Sequence, residues 1–203
     1  MKKLELHFDN QLQGEFELKK LNLLLVFQVN CPGCFSYALP FYNKLYNEFN
    51  SEISFLALST VFEDFDKNTL ENTKELIERG TLVGETKKFM KDQGFDKLPY
   101  SLDFPIAMDK ISIDSPEDIE KVINGFSETN FNFHQLSKAE RINVRNRIVD
   151  YIKSLDKVAL TFTLNQLRGT PSFVLFNSEY EILNDWFGHV SYDEIANELK
   201  QFV

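Results

Sequence analysis

The stretch of residues 21–49 constrains the fold more than any other part of the chain, because it joins a buried strand directly to a helix. Residues 23–27 form an unbroken apolar run without alternation, which is typical of a strand covered on both faces. Pro32 then suits the first position of a helix, and apolar residues recur at helical spacing as far as Phe49. The stretch therefore predicts an α/β protein in which a central strand leads into a long helix.

The only two cysteines of the sequence, Cys31 and Cys34, lie at this junction. The first turn of a helix has unpaired N–H groups and the positive end of the helix dipole, so a thiolate there is stabilised. Thiol pKa values in such Cys-x-x-Cys settings fall from about 8.5 to roughly 3.5–7.5. We expect Cys31 to be the exposed thiolate that attacks and Cys34 to be shielded. Two intervening residues allow a disulfide between the sulfurs, so the pair can cycle between dithiol and disulfide.

A second motif, Gly169-Thr170-Pro171-Ser172, comes much later and opens an apolar run that ends at Phe176. A strand, Cys31-Pro32-Gly33-Cys34, a long helix and this Thr-Pro step, in that order, resemble the thioredoxin fold, in particular the thiol-disulfide redoxins related to TlpA and ResA. The resemblance implies that the Thr170–Pro171 bond is cis, that Pro171 lies against Cys31, and that the backbone of Thr170 pairs with an extended substrate. Cys31 and Cys34 are therefore the catalytic candidates, and Thr170 and Pro171 the substrate-binding ones.

The rest of the first half fits a thioredoxin-like α/β domain with a central mixed β-sheet flanked by helices. Alternation over residues 3–8, a turn at residues 9–14 and a continuation over residues 15–21 predict an N-terminal β-hairpin. Residues 53–59 predict a second buried strand. Two helices that each end at a glycine are predicted over residues 70–79 and 85–93.

The second half predicts a short strand over residues 105–109 and then a helical insertion at about residues 112–157. The insertion contains a capping box at Ser137 and Glu140 but no redox residue, which indicates a covering or docking role. A short helix over residues 156–166 is expected to lead to the Thr-Pro motif, followed by two antiparallel strands and a last helix. We treat residues 1–203 as a single domain.

Pro40 interrupts the predicted cysteine helix, because a proline in a helix interior removes a hydrogen bond and bends the axis. It stands nine residues after Cys31, one later than the resembling redoxins lead us to expect. We therefore expect an extra residue in the first turns of this helix, which would rotate Cys34 slightly.

Charged residues near the predicted site are Glu63, Asp64 and Asp66, which follow the second strand, and Arg168, which precedes the Thr-Pro motif. The acidic residues predict either a negative rim beside the cysteines or a cap for the next helix. A cation at position 168 would favour a thiolate at Cys31, although such an arginine is more often a solvated loop residue.

Two positions depart from the family pattern. Asn30 stands where many relatives have a tryptophan before the first cysteine, and Leu25 stands where relatives of thioredoxin itself have a buried acid. These departures put the reductase rate in question without removing the disulfide chemistry. Proton transfer is then expected to use water or a carboxylate such as Glu63.

Two other uses of the cysteines remain. A structural zinc site needs four ligands, and the three histidines, at positions 7, 134 and 189, have no paired spacing, so we expect no metal and no cofactor. A static disulfide is the second alternative. The sequence carries no sign of an oxidising compartment, and a chain of 203 residues does not need a covalent staple.

The formal net charge of −9 excludes some classes of partner. It argues against nucleic acid and anionic membrane surfaces, whose phosphates would be repelled. No stretch approaches the roughly 18 apolar residues of a membrane span. The two N-terminal lysines are not followed by an apolar core, so we expect no signal peptide and a cytoplasmic location, unlike many exported redoxins.

The sequence thus predicts a thiol-disulfide oxidoreductase that exchanges disulfides with a protein or small thiol partner and is recharged by an electron-donor reductase. A peroxiredoxin-like thiol peroxidase is the first alternative, although Phe27-Gln28-Val29-Asn30 lack the proline and hydroxyl residue that normally precede a peroxidatic cysteine. The second alternative is a binding module without turnover, which uses the acidic rim and the insertion and has the cysteines as a redox switch.

Overall fold

The computed structural model describes residues 2–111, 116–129, 132–155 and 157–202, and within them six strands form one mixed sheet. The strands are β1 Phe8–Gln13, β2 Leu21–Phe27, β3 Ser54–Ser59, β4 Ile106–Asp109, β5 Ser172–Asn177 and β6 Ile182–Phe187, in the order β1-β4-β3-β2-β5-β6. β2, β3 and β4 are parallel, while β1, β5 and β6 pair antiparallel with their neighbours. The predicted central strand is confirmed, since β2 lies between β3 and β5.

All seven residues of β2 are buried, because helices or loops cover both faces of the sheet at this strand. Leu23, Leu25 and Phe27 point into one apolar layer, and Leu24 and Val26 into the other. The position at which relatives of thioredoxin have an acid is thus filled by a fully buried leucine, Leu25.

Seven α-helices accompany the sheet in the described residues: α1 Leu39–Phe49, α2 Leu70–Arg79, α3 Gly84–Asp92, α4 Pro116–Thr129, α5 Lys138–Ser154, α6 Leu160–Leu164 and α7 Tyr192–Leu199. α1 packs on the central strands, and Tyr42 of α1 joins β2 to β3 through its hydroxyl. That hydroxyl lies 2.7 Å from the carbonyl oxygen of Leu23 and accepts from the N–H of Leu56 at 3.1 Å. The helix that follows the cysteines is therefore fixed to the sheet by polar as well as apolar contacts.

The helix ends follow the sequence signals closely. Thr69 caps α2 by accepting from the N–H of Asn72, and Gly80 ends the same helix with a φ of 67°. Ser137 and Glu140 form the predicted capping box of α5. Side-chain caps satisfy N–H groups that a first helical turn leaves unpaired, and a capping box or a terminal glycine can be read from the sequence. The Thr69 cap was not among the predictions, which placed the cap at the preceding acidic residues.

The predicted N-terminal β-hairpin is wrong. Residues 15–20 form no strand, and β1 lies where the turn was expected, paired with β4 at the edge of the sheet. The segment before β1 instead bonds to side chains of the α6 region: the N–H of His7 donates to Thr161 Oγ1 at 2.9 Å, and the N–H of Glu5 donates to Asn165 Oδ1 at 3.0 Å. Partners distant in sequence therefore satisfy the backbone groups that a hairpin would have paired.

Pairing between β1 and β4 is irregular, with register shifts between Phe8 and Asn10 and again between Gln11 and Gln13. Two such interruptions within six residues make β1 a strongly distorted edge strand.

The helical insertion predicted at residues 112–157 is present as α4 and α5, with a short 3₁₀ helix, Phe133–Gln135, between them. Residues 112–115, 130–131 and 156 lie outside the described part of the chain. The insertion packs onto α6 through a small apolar cluster of Val122, Ile152, Val158, Leu160 and Leu164. The short helix before the Thr-Pro motif is α6, which is shorter than the predicted range of 156–166.

Candidate redox site

The two cysteines lie where β2 passes into the helix, and the helical turn begins at Pro32. The N–H of Cys34 donates to the carbonyl oxygen of Cys31 at 2.9 Å, which closes the first turn. Cys31 is partly exposed, whereas Cys34 has no accessible surface. This difference in exposure is the one expected from the sequence.

The turn after the cysteines is a π-helix, Cys34–Ala38, which continues into α1. Its extra residue is visible in the hydrogen bond from the N–H of Leu39 to the carbonyl oxygen of Cys34, five residues earlier. A π turn holds one more residue than an α turn, so it accommodates the late position of Pro40, which has no N–H to donate. The prediction of an extra residue in the first turns is confirmed.

The sulfur atoms of the pair are 2.8 Å apart, and the Cys34 thiol donates to Cys31 Sγ. The backbone N–H of Cys34 lies 3.3 Å from Cys31 Sγ, so it adds a second donor to the same sulfur. Both cysteines are in the free thiol form. Cys31 is therefore surrounded by groups that favour a thiolate.

These contacts move the thiol pKa values in opposite directions. The hydrogen bond from Cys34 is the largest cause that lowers the pKa of Cys31 to about 7, against the opposing effect of burial. Burial in turn raises the pKa of Cys34, and the neighbouring Cys31 adds to that effect. Near neutral pH the arrangement thus holds one reactive thiolate next to one protonated thiol.

The Thr170–Pro171 peptide bond is cis, and the carbonyl oxygen of Thr170 lies 3.5 Å from Cys31 Sγ. The hydroxyl of Thr170 lies 3.2 Å from Oε1 of Gln28, a buried residue at the end of β2. The carbonyl oxygen of Pro171 accepts from the N–H of Gly188, at the end of β6, at 2.9 Å. The structure therefore brings all four candidate site residues together.

An aromatic cluster that could not be predicted from the sequence lies beside the cysteines. The ring of Tyr37 is 4.4 Å from that of His189 and 5.9 Å from that of Phe41. Burial raises the pKa of Tyr37 to about 12, and Cys34 and Cys31 add to this shift when their thiols are ionised. Tyr37 therefore lies within electrostatic reach of both sulfurs and stays protonated at neutral pH.

The acidic residues after β3 have separate roles. Asp64 accepts a hydrogen bond from the side chain of Asn30, and Asp66 pairs with Lys67. Glu63 is exposed and contacts this region through its backbone carbonyl, which accepts from Asn68 and Gln28. The cap of the next helix is the Thr69 side chain, so of the predicted acidic rim only Asp64 contacts the residue next to Cys31.

The guanidinium group of Arg168 lies 5.1 Å from the ring centre of Phe187, so this arginine packs along the β6 side of the Thr-Pro loop. No cluster of three or more His, Cys, Asp or Glu side chains suited to a metal ion occurs in the described part of the chain. Within the same residues, no helix is long and apolar enough to cross a bilayer.

No protein-family profile and no curated protein matches the chain. Solved structures do share its fold. A thiol-disulfide isomerase from Corynebacterium glutamicum superposes with a TM-score of 0.59 at 20% identity, covering 98% of this chain and 94% of that one. A protein of the thioredoxin-like superfamily gives 0.58 at 20% identity, covering 99% and 95%. The chain therefore has a thioredoxin-like fold, while the narrower resemblance to TlpA and ResA stays a prediction.

Proposed function

We propose that the protein is a thiol-disulfide oxidoreductase in which Cys31 is the attacking residue and Cys34 the resolving one. The observation that carries this proposal is the position of Cys31 Sγ, 2.8 Å from a buried second thiol and 3.5 Å from the carbonyl oxygen of Thr170. A single partly exposed thiol with a pKa of about 7 is suited to attack a disulfide at neutral pH.

In the proposed reaction the Cys31 thiolate attacks one sulfur of a substrate disulfide. A bond forms between Cys31 and that sulfur, the substrate S–S bond breaks, and the other substrate sulfur leaves as a thiolate that takes a proton from water. The Cys34 thiol then gives its proton to the departing second substrate sulfur and attacks Cys31. The products are a reduced substrate and a Cys31–Cys34 disulfide, so two electrons pass from the protein to the substrate.

The substrate is proposed to be a disulfide-containing protein, or the disulfide form of a small thiol compound, that lies along the Thr170–Pro171 segment. Thr170 is partly exposed beside Cys31, and an extended segment there can pair with its backbone. An electron-donor reductase is needed to return the Cys31–Cys34 disulfide to the dithiol. In the cytoplasmic location proposed from the sequence, the net direction is reduction of the substrate.

The first test replaces one sulfur at a time. Cys34→Ser removes the resolving thiol and should accumulate covalent mixed disulfides with protein partners, detected as bands that disappear with dithiothreitol. Cys31→Ser should accumulate none, because its remaining thiol is buried. Equal trapping by both variants, or trapping by neither, would contradict the assignment of roles.

The second test measures whether the pair cycles. A glutathione redox titration should show a single two-electron transition between the dithiol and the Cys31–Cys34 disulfide, with insulin reduction measured in parallel. Stopped-flow mixing with hydrogen peroxide should show slow thiol loss. Rapid thiol loss with peroxide and no reduction of insulin would replace the proposal with a thiol peroxidase.

A further inference from the structure

Asn30, the residue immediately before Cys31, is bonded to two segments that are distant in sequence. Its Oδ1 accepts from the backbone N–H of Glu85 at 2.7 Å, in the first turn of α3. Its Nδ2 donates to Asp64 Oδ2 at 2.8 Å, in the loop after β3. We call Asn30 with these two partners the Asn30 clamp. The backbone N–H of Asn30 also donates to Oδ1 of the buried Asn68 at 2.9 Å.

The approach of Asn30 to α3 requires the glycine at position 84. Gly84 has a φ of +51°, and a Cβ atom there would lie 2.2 Å from Asn30 Oδ1 and 2.7 Å from its Cγ. A side chain at this position would therefore strain the backbone and displace the amide of Asn30. The side chain of Asn30 thus fits because position 84 is a glycine. This dependence cannot be recognised from the sequence.

We propose that Asn30 is a positioning residue that holds Cys31 in its contacts with Cys34 and Thr170. The helical turn that begins at Pro32 fixes the chain after Cys31, and the Asn30 clamp fixes it before. Asn30 itself touches none of the reacting atoms, since its side-chain bonds run to Asp64 and Glu85. The inference rests on the proposed function for its biological meaning, and it supplies a role for the residue that replaces the family's tryptophan.

The physical reason lies in the donors around Cys31 Sγ. The thiolate is favoured by hydrogen bonds from the Cys34 side chain and from backbone N–H groups, all of which need a fixed position of the sulfur. If the residue before Cys31 is free to move, these contacts lengthen and stabilise the thiolate less. Loss of the clamp should therefore raise the pKa of Cys31 and slow its attack at neutral pH.

The test is the pH dependence of iodoacetamide alkylation of the reduced protein, with the modified cysteine located by peptide mass spectrometry. Asn30→Ala should move the midpoint for Cys31 upward from about 7. It should also slow alkylation at pH 6.5 by about threefold to tenfold, since only the thiolate reacts. The variant leaves Asp64, Glu85, Cys34 and Tyr37 in place, so an upward shift would not come from a change in charge.

Gly84→Ala breaks the same clamp from the other side and should shift the midpoint in the same direction. Because both variants break the contact between Asn30 Oδ1 and the N–H of Glu85, the double variant Asn30→Ala/Gly84→Ala should shift the midpoint by much less than the sum of the single shifts. Additive shifts would show that the two residues act separately and would overturn the proposal.

Exchanging the amide and the carboxylate between positions 30 and 64 tests whether the clamp can be restored. Asn30→Asp puts two carboxylates opposite each other and should raise the midpoint further than Asn30→Ala. Adding Asp64→Asn restores an amide donor opposite the new carboxylate, which still accepts from the N–H of Glu85. The midpoint of this double variant should return toward that of the unaltered protein. If the midpoint of the double variant stays at that of Asn30→Asp, the clamp geometry has no role in holding Cys31.

The matched control is Asn43→Ala in α1. Asn43 likewise bonds through both atoms of its amide, since its Oδ1 accepts from the N–H of Asp103 at 2.9 Å and its Nδ2 donates to the carbonyl oxygen of Ser101. It should lower thermal stability without moving the Cys31 midpoint. If Asn30→Ala behaves in the same way, Asn30 is merely structural and the proposal is wrong.

Alkylation needs no disulfide partner, so this test is independent of the trapping experiment. A shifted Cys31 midpoint together with no trapped adduct would leave the positioning role standing and remove the proposed exchange reaction. An unshifted midpoint with abundant adducts would support the exchange reaction and remove the positioning role of Asn30.

Discussion

Cys31 and Cys34 are the same amino acid three residues apart, yet their surroundings push the pKa values of their thiols in opposite directions. The difference follows from exposure and from the direction of one hydrogen bond. Cys34 is buried and donates, whereas Cys31 is partly exposed and accepts. At the residue scale, the division of roles in the proposed reaction is a consequence of where the helix begins.

The same hydrogen bond leads to a prediction for Cys34. Since it is the largest cause of the lowered Cys31 pKa, Cys34→Ala should raise the midpoint of Cys31 alkylation above about 7. Cys34→Ser keeps a donor and should raise it less. Equal midpoints for the alanine variant and the unaltered protein would mean that the backbone donors alone set the pKa.

The sequence predicted that the cysteines and the Thr-Pro step form the site, but it did not predict the residues that hold them in place. Cys31, Cys34, Thr170 and Pro171 could be identified because their order and spacing resemble a known motif. Asn30 and Gln28 could not, because their partners, at positions 64, 85 and 170, come from segments whose proximity the sequence does not state. From the sequence alone, Asn30 was notable only because it stands where similar redoxins have a tryptophan.

At the element scale, α6 depends on a residue outside itself. Asp109, at the end of β4, accepts from the N–H groups of Thr161 at 2.9 Å and Phe162 at 3.1 Å, and from the hydroxyl of Thr60 at 2.7 Å. The helix has only five residues, and its N-cap, Ala159, has no side-chain acceptor. A helix this short does not persist without such external support.

Asp109→Ala should therefore lower the free energy of unfolding by about 2–3 kcal/mol, because two buried donors and one partly buried donor lose their acceptor. Asp109→Asn should cost less, since it keeps one carbonyl oxygen. The measurement is urea denaturation, with the exposed Asp96→Ala as a control that is expected to stay within about 0.5 kcal/mol of the unaltered protein. A loss in the Asp109→Ala variant no greater than in the control would show that α6 is held by its apolar contacts alone.

The elements that the sequence predicted well are those whose signals are local. β2 is a continuous apolar run, α2 has a glycine at its end, and the π turn follows from the position of Pro40. The prediction of an N-terminal hairpin was wrong because alternation of apolar and polar residues indicates an extended chain but not the segment with which it pairs. The actual partners of that segment lie about a hundred or more residues away, in β4 and around α6.

At the scale of the whole molecule, the Cys31 pKa links stability to pH. In the unfolded chain this thiol has an ordinary pKa near 9, whereas in the folded protein it is about 7. The folded state therefore loses the proton first as pH rises, so the reduced protein gains stability between about pH 7 and 9 and loses it again as the pH falls through 7. Because Cys31 is partly exposed, we expect a gain of about 1 kcal/mol rather than the full value for two pKa units.

The measurement is the free energy of unfolding of the reduced protein from pH 6.5 to 8.5, compared with that of Cys31→Ser. Titrating groups whose pKa does not depend on Cys31 act equally on both proteins and cancel in the difference. Among them is Asp109, whose pKa burial raises to about 6, so its stabilising contribution is lost as pH rises through that value. Identical pH dependence in the two proteins would contradict the lowered Cys31 pKa.

The irregular pairing of β1 with β4 affects how readily two molecules can associate through the edge of the sheet. A free sheet edge offers a row of N–H and C=O groups to which another chain can add a strand and start an aggregate. The two register shifts in β1 interrupt that row. Addition of a strand from another molecule is thereby disfavoured at this edge of the sheet.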